Sequence, residues 1–241
     1  MSWWESWFGE EYLDLYPHRD LESARREAAF ALARLPRDPS PLLDLCCGSG
    51  RHSLRFSEAG IAPVALDYSA PLLDFARRRD ARLRLVRGDM RALPFPNESF
   101  CTVVNFFTSF GYFLKETENV AVVAEIERVL RDDGVFLCDT VGRDWALSRL
   151  VPEESRRCGD KEYRIRRWWN AETSRLEKEI EVRREGSTEI FRESVRAYTA
   201  AELAGILAGA GLSVEGAWGG FDGAPAGPDS PRLIVMARKA A

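Results

Sequence analysis

Leu21, Ala24, Ala28, Leu32 and Leu35 recur at helical spacing and predict a helix over residues 21–35, stopped by Pro36. Beyond it the pattern changes. Four short apolar runs follow, at 41–46, 62–66, 82–86 and 101–107, each closed by polar or glycine-containing turns, and a fifth spans 135–140. Helical stretches separate them: 51–59 ended by Gly60, 69–79 with Ser69 as cap and Pro71 in the first turn, and 116–131 terminated by Asp133-Gly134. Strands alternating with helices imply βαβ units, hence an α/β fold with a doubly wound, mostly parallel sheet and helices on both faces.

After the fifth strand the alternation stops. Residues 161–169, 175–184 and 189–198 read as three polar-apolar strands, joined by Asn170-Ala171-Glu172-Thr173 and Glu185-Gly186-Ser187-Thr188. They predict an antiparallel β insertion with one solvated face. Thr199 and Glu202 form a capping-box pattern opening a helix to Ala210, closed by Gly211, and residues 213–218 and 231–238 make a hairpin at the sheet edge around the loop 219–230. The chain thus divides into an N-terminal aromatic lid and helix (1–38), a core (39–141), the β insertion as a cap (142–198), and a last helix and hairpin completing the core (199–241). In the lid, Trp4, Phe8, Tyr12 and Leu15 fall on one face of an amphipathic helix.

With 241 residues, 45% hydrophobic and 30% charged, the chain can bury a sizeable core. A net charge of −4 does not favour a polyanionic partner, so nucleic acid is not the expected ligand. The five cysteines, with the adjacent pair Cys46 and Cys47 and no CxxC spacing, argue against a disulfide framework and a zinc site and suit a reducing cytoplasm. No run approaches about 18 uninterrupted apolar residues, and the acidic N-terminus is unlike a signal peptide, so neither export nor membrane insertion is expected.

The run LLDLCCGSGRHSL (residues 42–54) places small residues where an open α/β sheet binds ligands, at the end of its first strand. Gly48 and Gly50 remove β-carbons and permit positive φ, and the next helix offers free amides. Ser53 stands where a dinucleotide fingerprint needs glycine or alanine, and no Gly-Lys-Ser/Thr follows for a phosphate loop. Asp67, ending the second strand, is placed to accept from both hydroxyls of a ribose. Asp89, ending the third, is placed to accept from an adenine amino group while Met90 meets the ring.

Together, D-L-C-C-G-S-G with Asp67 and Asp89 resembles the S-adenosylmethionine (SAM) site of class I methyltransferases, in the small-molecule branch that includes amino-sugar and glycine N-methyltransferases. Asp44 matches the leading acid, Gly48 and Gly50 two glycines, and Cys46 replaces the first, which implies negative φ there. The family's sheet is seven-stranded and ends in an antiparallel strand. The resemblance implies SAM as cofactor and S-adenosylhomocysteine as product, with Tyr68, Asn105 and Phe106 as further contacts. It also implies Tyr16 at the methionine part and Arg19 pairing its carboxylate.

Tyr112 would face the acceptor, and Tyr112 or His52, one of two histidines with His18, is a candidate proton acceptor. The insertion, the loop 219–230 and the N-terminal aromatics would roof the site and exclude water. Arg164, Arg166 and Arg167 beside Trp168-Trp169 read as strand residues paired with Glu177, Glu179 and Glu181. The expected function is methyl transfer to a nitrogen or oxygen of a small molecule. An RNA-modifying methyltransferase and a non-catalytic SAM-binding protein are the alternatives.

Overall fold

The computed structural model describes residues 2–17 and 19–240. Two short helices, α1 (Trp3–Trp7) and α2 (Glu10–Leu15), precede α3 (Leu21–Leu32). The core then alternates β1 (Leu42–Leu45), α4 (Arg51–Glu58), β2 (Val64–Asp67), α5 (Ala70–Arg79), β3 (Arg84–Arg87), β4 (Phe100–Asn105), α6 (Glu116–Val129) and β5 (Leu130–Val141). After α7 (Arg143–Ser148) come β6 (Glu153–Cys158), β7 (Lys161–Asn170), β8 (Arg175–Arg184) and β9 (Ser187–Arg196), followed by α8 (Ala200–Gly209), β10 (Leu212–Trp218) and β11 (Arg232–Lys239).

Seven strands form one sheet in the order β10-β11-β5-β4-β1-β2-β3, in which only β11 opposes the others. The expected doubly wound sheet is therefore the observed one. Strand order reverses between β1 and β4, so the carboxyl ends of β1, β2 and β4 open onto one crevice. Continuous apolar sequence places β1 and β4 at its centre: Leu42, Leu43, Leu45, Val103 and Val104 are all buried. Ser69 caps α5 through the Leu72 amide, and Thr199 and Glu202 form the capping box of α8, as their sequences predict.

Three element readings need correction. The first helix ends at Leu32 rather than residue 35, and Leu35 packs in the core beyond it. The helix before β5 ends at Val129, because Leu130 is drawn into register with Phe100 and the chain is extended from there. The insertion is a separate four-stranded sheet, β6-β7-β8-β9, preceded by α7. Its edge strand β6, EESRRC, is polar on both faces and carries no period-two signal.

The N-terminal stretch is broken at Gly9 into α1 and α2, so it forms no continuous amphipathic helix. Trp7 and Leu15 fill the core of the four-stranded sheet with Tyr163, Ile165, Ile180 and Val182, which fixes the lid to the cap. One buried arginine fixes the cap to the main sheet. Arg175, 3% exposed, donates to the carbonyls of Phe113 (2.9 Å), Gly111 (3.0 Å), Tyr112 (3.1 Å) and Ser194 (2.7 Å), and its Nε to Ser194 Oγ (2.7 Å).

Truncating Arg175 leaves those carbonyls buried without donors. Arg175→Ala is expected to cost about 3–5 kcal/mol in equilibrium urea unfolding. Lysine offers a single point of donation where the fork now reaches five oxygens, so Arg175→Lys should recover less than half of the loss. A cost under about 1 kcal/mol for the alanine variant would show that the cap is held elsewhere.

Candidate functional site

Three adjoining cavities lie over the carboxyl ends of the strands. The first borders Cys46, Gly48, Asp67, Tyr68, Asp89 and Met90, with Trp4 and Phe8 as its roof. The second, about 510 Å³, borders Cys46, Gly48, Tyr16, Arg19, His52 and Phe106. The third, about 380 Å³, lies between the core and the four-stranded cap, against Trp145, Arg167, Leu176, Lys178 and Glu193. Tyr12 borders all three, Tyr112 the first and third, and Arg19 the second and third.

The loop after β1 has left-handed backbone at Cys46 (φ 59°), Gly48 (φ 54°) and Gly50 (φ 70°). The expectation of negative φ at Cys46 fails. The chain must leave the strand there while the Cys47 amide still donates to Leu66 O at 2.9 Å, and a cysteine takes the strain at a cost of about 1–3 kcal/mol. Gly48 borders the first and second cavities. Gly50 does not: a β-carbon on it would stand 3.0 Å from Ala76 Cβ and from Leu83 Cδ1, so this glycine permits close packing of α4 on α5.

Asp67 is 9% exposed, and its Oδ2 accepts from the Gly48 amide and its Oδ1 from the Ser69 amide, both at 2.8 Å. Burial raises its pKa to about 6 against the pull of those hydrogen bonds. A carboxylate has about four acceptor sites, so two remain for ligand hydroxyls. Asp89 accepts from the Arg91 guanidinium (Nη2–Oδ2 2.7 Å) and from its amide (2.9 Å), and Arg91 also bonds Glu118. Tyr68 stands edge-on to Trp4, with ring centroids 4.7 Å apart.

Asp44 borders none of the three cavities. It is 1% exposed, accepts from Ser53 Oγ, and is raised to about 6 by burial, so it anchors α4 from beneath the loop. Asn105 also lies outside the cavity walls and donates to Leu45 O at 2.8 Å. Phe106 lies under the second cavity, stacked on His52 with centroids 4.2 Å apart. His52 Nε2 donates to Glu27, which also pairs with Arg51 at 2.7 Å. Burial, with Arg51 nearby, depresses His52 to about 4, so its imidazole is neutral and too weakly basic to deprotonate an ammonium near neutral pH. His18 lies outside the described residues.

Tyr112 stacks on Phe8 at 5.6 Å and touches Trp3 edge-on, and burial raises its phenol well above the usual value. It is therefore protonated at neutral pH and cannot serve as the proton acceptor; its place is the wall between the first and third cavities. Tyr16 OH donates to Glu193 at 2.8 Å and accepts from Lys178, while its ring carries the Arg19 guanidinium 3.9 Å from its centroid. Arg19 donates to Tyr12 OH, and its buried Nε has no hydrogen-bond partner among the described residues. An orphaned guanidinium donor at the boundary of two cavities suits an anionic ligand group.

The roof is only partly as expected. The loop 219–230 folds away: Phe221 packs edge-on against Phe30 of α3 at 5.5 Å, and the loop borders none of the three cavities. Sequence reading did not single out Trp3, Ser109, Lys178, Glu193 or Arg232 as cavity residues; they come from four separate regions of the chain and carry no common motif. The arginines of β7 are paired, Arg164 with Glu153, Arg166 with Glu179 and Arg167 with Glu154. Among the described residues no helix is long and apolar enough to cross a membrane, and no cluster of three or more His, Cys, Asp or Glu side chains could hold a metal.

Residues 42–134 match the family model described as a methyltransferase domain. The chain is 29% identical to dTDP-3-amino-3,4,6-trideoxy-alpha-D-glucopyranose N,N-dimethyltransferase of Streptomyces venezuelae, over 88% of this chain and 94% of that one. It is 34% identical to cypemycin N-terminal methyltransferase of a Streptomyces species, a match spanning 46% of each chain, so the chain covers about half the length of that relative. Among solved structures, the CcbJ methyltransferase from Streptomyces caelestis superposes with a TM-score of 0.83 at 19% identity, over 98% of this chain and 99% of that one. With the matched core, the strand order and the crevice at the reversal point, the chain has the class I methyltransferase fold and carries a methyltransferase domain over residues 42–134.

Proposed function

We propose that the protein methylates a nitrogen of a small amine, with SAM laid across the strand ends and the acceptor held under the cap. The observation that carries this reading is the convergence of a crevice bordered by Asp67 and Asp89, a cation-bearing cavity and a capped third cavity on one residue, Tyr12. Asp67 would hold the ribose hydroxyls, Asp89 and Met90 the adenine, and Arg19 the carboxylate of the methionine tail. Gly48 keeps the backbone close, and Tyr16 and Phe106 line the tail's cavity. Asp44, Gly50 and Asn105 would support the loop without contact.

Bound SAM supplies a methyl group already activated on sulfur, so the protein needs to align the acceptor and exclude water more than to provide a nucleophile of its own. Trp3, Phe8, Tyr12 and Tyr112 form an aromatic wall for that purpose. The wall of the third cavity carries both signs of charge, with Glu154 paired to Arg167 and Glu193 to Lys178, and an ammonium acceptor must lose a proton before it can attack. Its proton then leaves to a carboxylate or to water, since Tyr112 is held as the neutral phenol and His52 is a weak base already bonded to Glu27. A cavity of about 380 Å³ is of the size that takes a small organic molecule. The N,N-dimethyltransferase relative, matched over nearly its whole length, supports nitrogen as the atom methylated. The paired arginines of β7 leave no open basic stripe there, which favours a small acceptor over RNA.

Saturating S-adenosylhomocysteine, at about 100 times its dissociation constant, should stabilise the protein by roughly 2.7 kcal/mol, a rise in melting temperature of about 5–10 °C. NAD should give none. Asp67→Ala should weaken binding by about a hundredfold or more, with Asp67→Asn intermediate, as measured by calorimetry. Unchanged affinity in both variants would remove the ribose assignment.

The raised pKa of Asp67 sets a pH dependence. Its carboxylate is the accepting form, so S-adenosylhomocysteine affinity should be flat between about pH 7 and 8 and should weaken as pH falls through about 6. A dissociation constant constant down to about pH 5 would contradict this. For the acceptor, product S-adenosylhomocysteine should appear with SAM and small primary or secondary amines and not with tRNA. Turnover on tRNA alone would favour the RNA-modifying reading.

A further inference from the structure

At the exit of β4 two consecutive non-glycine residues, Phe107 and Thr108, both have φ of 65°. Left-handed backbone is costly for a large aromatic residue and more so for a β-branched threonine, and it persists only where surrounding contacts impose it. The contacts converge on one side chain. Asp139, 0% exposed on β5, accepts from the Phe107 amide through Oδ2 at 2.8 Å, and its carbonyl accepts from the Thr108 amide at 2.9 Å. Its other oxygen accepts from Arg232 Nε of β11 at 2.7 Å, and Arg232 Nη2 donates to Thr108 Oγ1 at 3.2 Å.

The segment so held borders both the second and the third cavity through Phe107. The Phe107 ring carries three guanidinium groups, Arg19 at 4.4 Å, Arg51 at 4.8 Å and Arg232 at 5.0 Å from its centroid. Glu27 balances Arg51 and Asp139 balances Arg232. Arg19 forms no carboxylate pair among the described residues; the rings of Tyr16, Phe107 and Tyr12 hold it, and Tyr12 OH accepts from it. Moving Phe107 therefore moves Arg19, whose guanidinium has no carboxylate partner among the described residues and stands at the boundary of the two cavities.

We propose that Asp139 and Arg232 form a positioning clamp that holds Phe107 and Thr108 in left-handed backbone and thereby seats Arg19 against the amino-acid tail of the cofactor. This rests on the reading that the second cavity takes that tail. Asp139 borders none of the three cavities and acts through Phe107, whereas Arg232 also borders the third cavity but reaches the tail's cavity only through Phe107 and Thr108.

The test compares two ligands by calorimetry: S-adenosylhomocysteine, which has the tail, and 5′-methylthioadenosine, which lacks it. The wild type should prefer the former. Asp139→Asn should weaken S-adenosylhomocysteine binding by about tenfold or more while 5′-methylthioadenosine changes by less than about twofold. Adding Thr108→Gly, which takes left-handed φ without strain, should restore a measurable part of the loss. If Asp139→Asn fails to fold, Arg232→Gln, which leaves Asp139 free to accept from Phe107, should show the same selective loss in milder form. Equal losses for both ligands, or no loss, would overturn the clamp, and so would failure of Thr108→Gly to rescue. A wild type that binds both ligands equally would remove the tail cavity itself, and the clamp's function with it.

Discussion

Where the central strand β1 ends, the chain must turn within a few residues and still leave backbone exposed to a ligand, and the Asp67 carboxylate makes that turn possible. By accepting from the Gly48 amide on one oxygen and the Ser69 amide on the other, it ties the loop after β1 to the loop after β2. A buried carboxylate with too few donors is unfavourable, which is why its pKa stands near 6. Ligand hydroxyls are the donors that would complete it. The residue that sets the geometry of the loop is thus also the residue whose remaining lone pairs define the crevice. On the proposed reading, a helix-preceding turn residue and a ribose acceptor are two descriptions of one carboxylate.

The cap depends on a different device. It is a separate sheet, and few side chains connect it to the core, so its position over the crevice rests on Arg175 and on the lid. Glu193 gathers the lid: Trp7 Nε1 donates to it at 2.6 Å, Tyr16 OH at 2.8 Å, and Lys178 pairs with it on the same strand pair. Because Tyr16 also carries Arg19, the lid, the cap and the tail cavity share one network. On the proposed reading, enclosure of the acceptor and the seat for the donor are then coupled by hydrogen bonds, and loosening one loosens the other.

The strand and helix alternation was legible because apolar periodicity and caps are local: each run of the core carries its own signal, and the acids ending β2 and β3 follow from where those runs stop. What was not legible depends on partners far away in sequence. Arg175 reads as one charge among many on β8, and only the carbonyls of Gly111, Tyr112 and Phe113 give it a role. Asp139 reads as the polar end of a buried strand until Arg232, 93 residues on, meets it. The polar edge strand β6 was missed for want of alternation. Gly50 reads as a cavity glycine because Gly48, two residues before it, is one, whereas the reason for it is α5. Loop 219–230 was misplaced because its aromatic anchor on Phe30 is not a local feature.

Electrostatics explains why this crevice suits a sulfonium nucleoside better than a dinucleotide. The N-terminus of α4 is the natural seat for a phosphate, since its free amides and dipole favour negative charge. Here that end is already matched from below by Asp44 through Ser53, and Asp67 stands close enough for the two carboxylates to raise each other's cost of ionisation. A pyrophosphate would bring further negative charge toward this pair. A ligand that is neutral at the ribose, cationic at sulfur and anionic only at its far carboxylate meets the reverse arrangement: acids beneath its middle, and Arg19 with an unused donor at the end where the negative charge falls. The same residue types in another order would select a different cofactor, so the choice lies in where the unmatched charges stand and not in the glycine pattern.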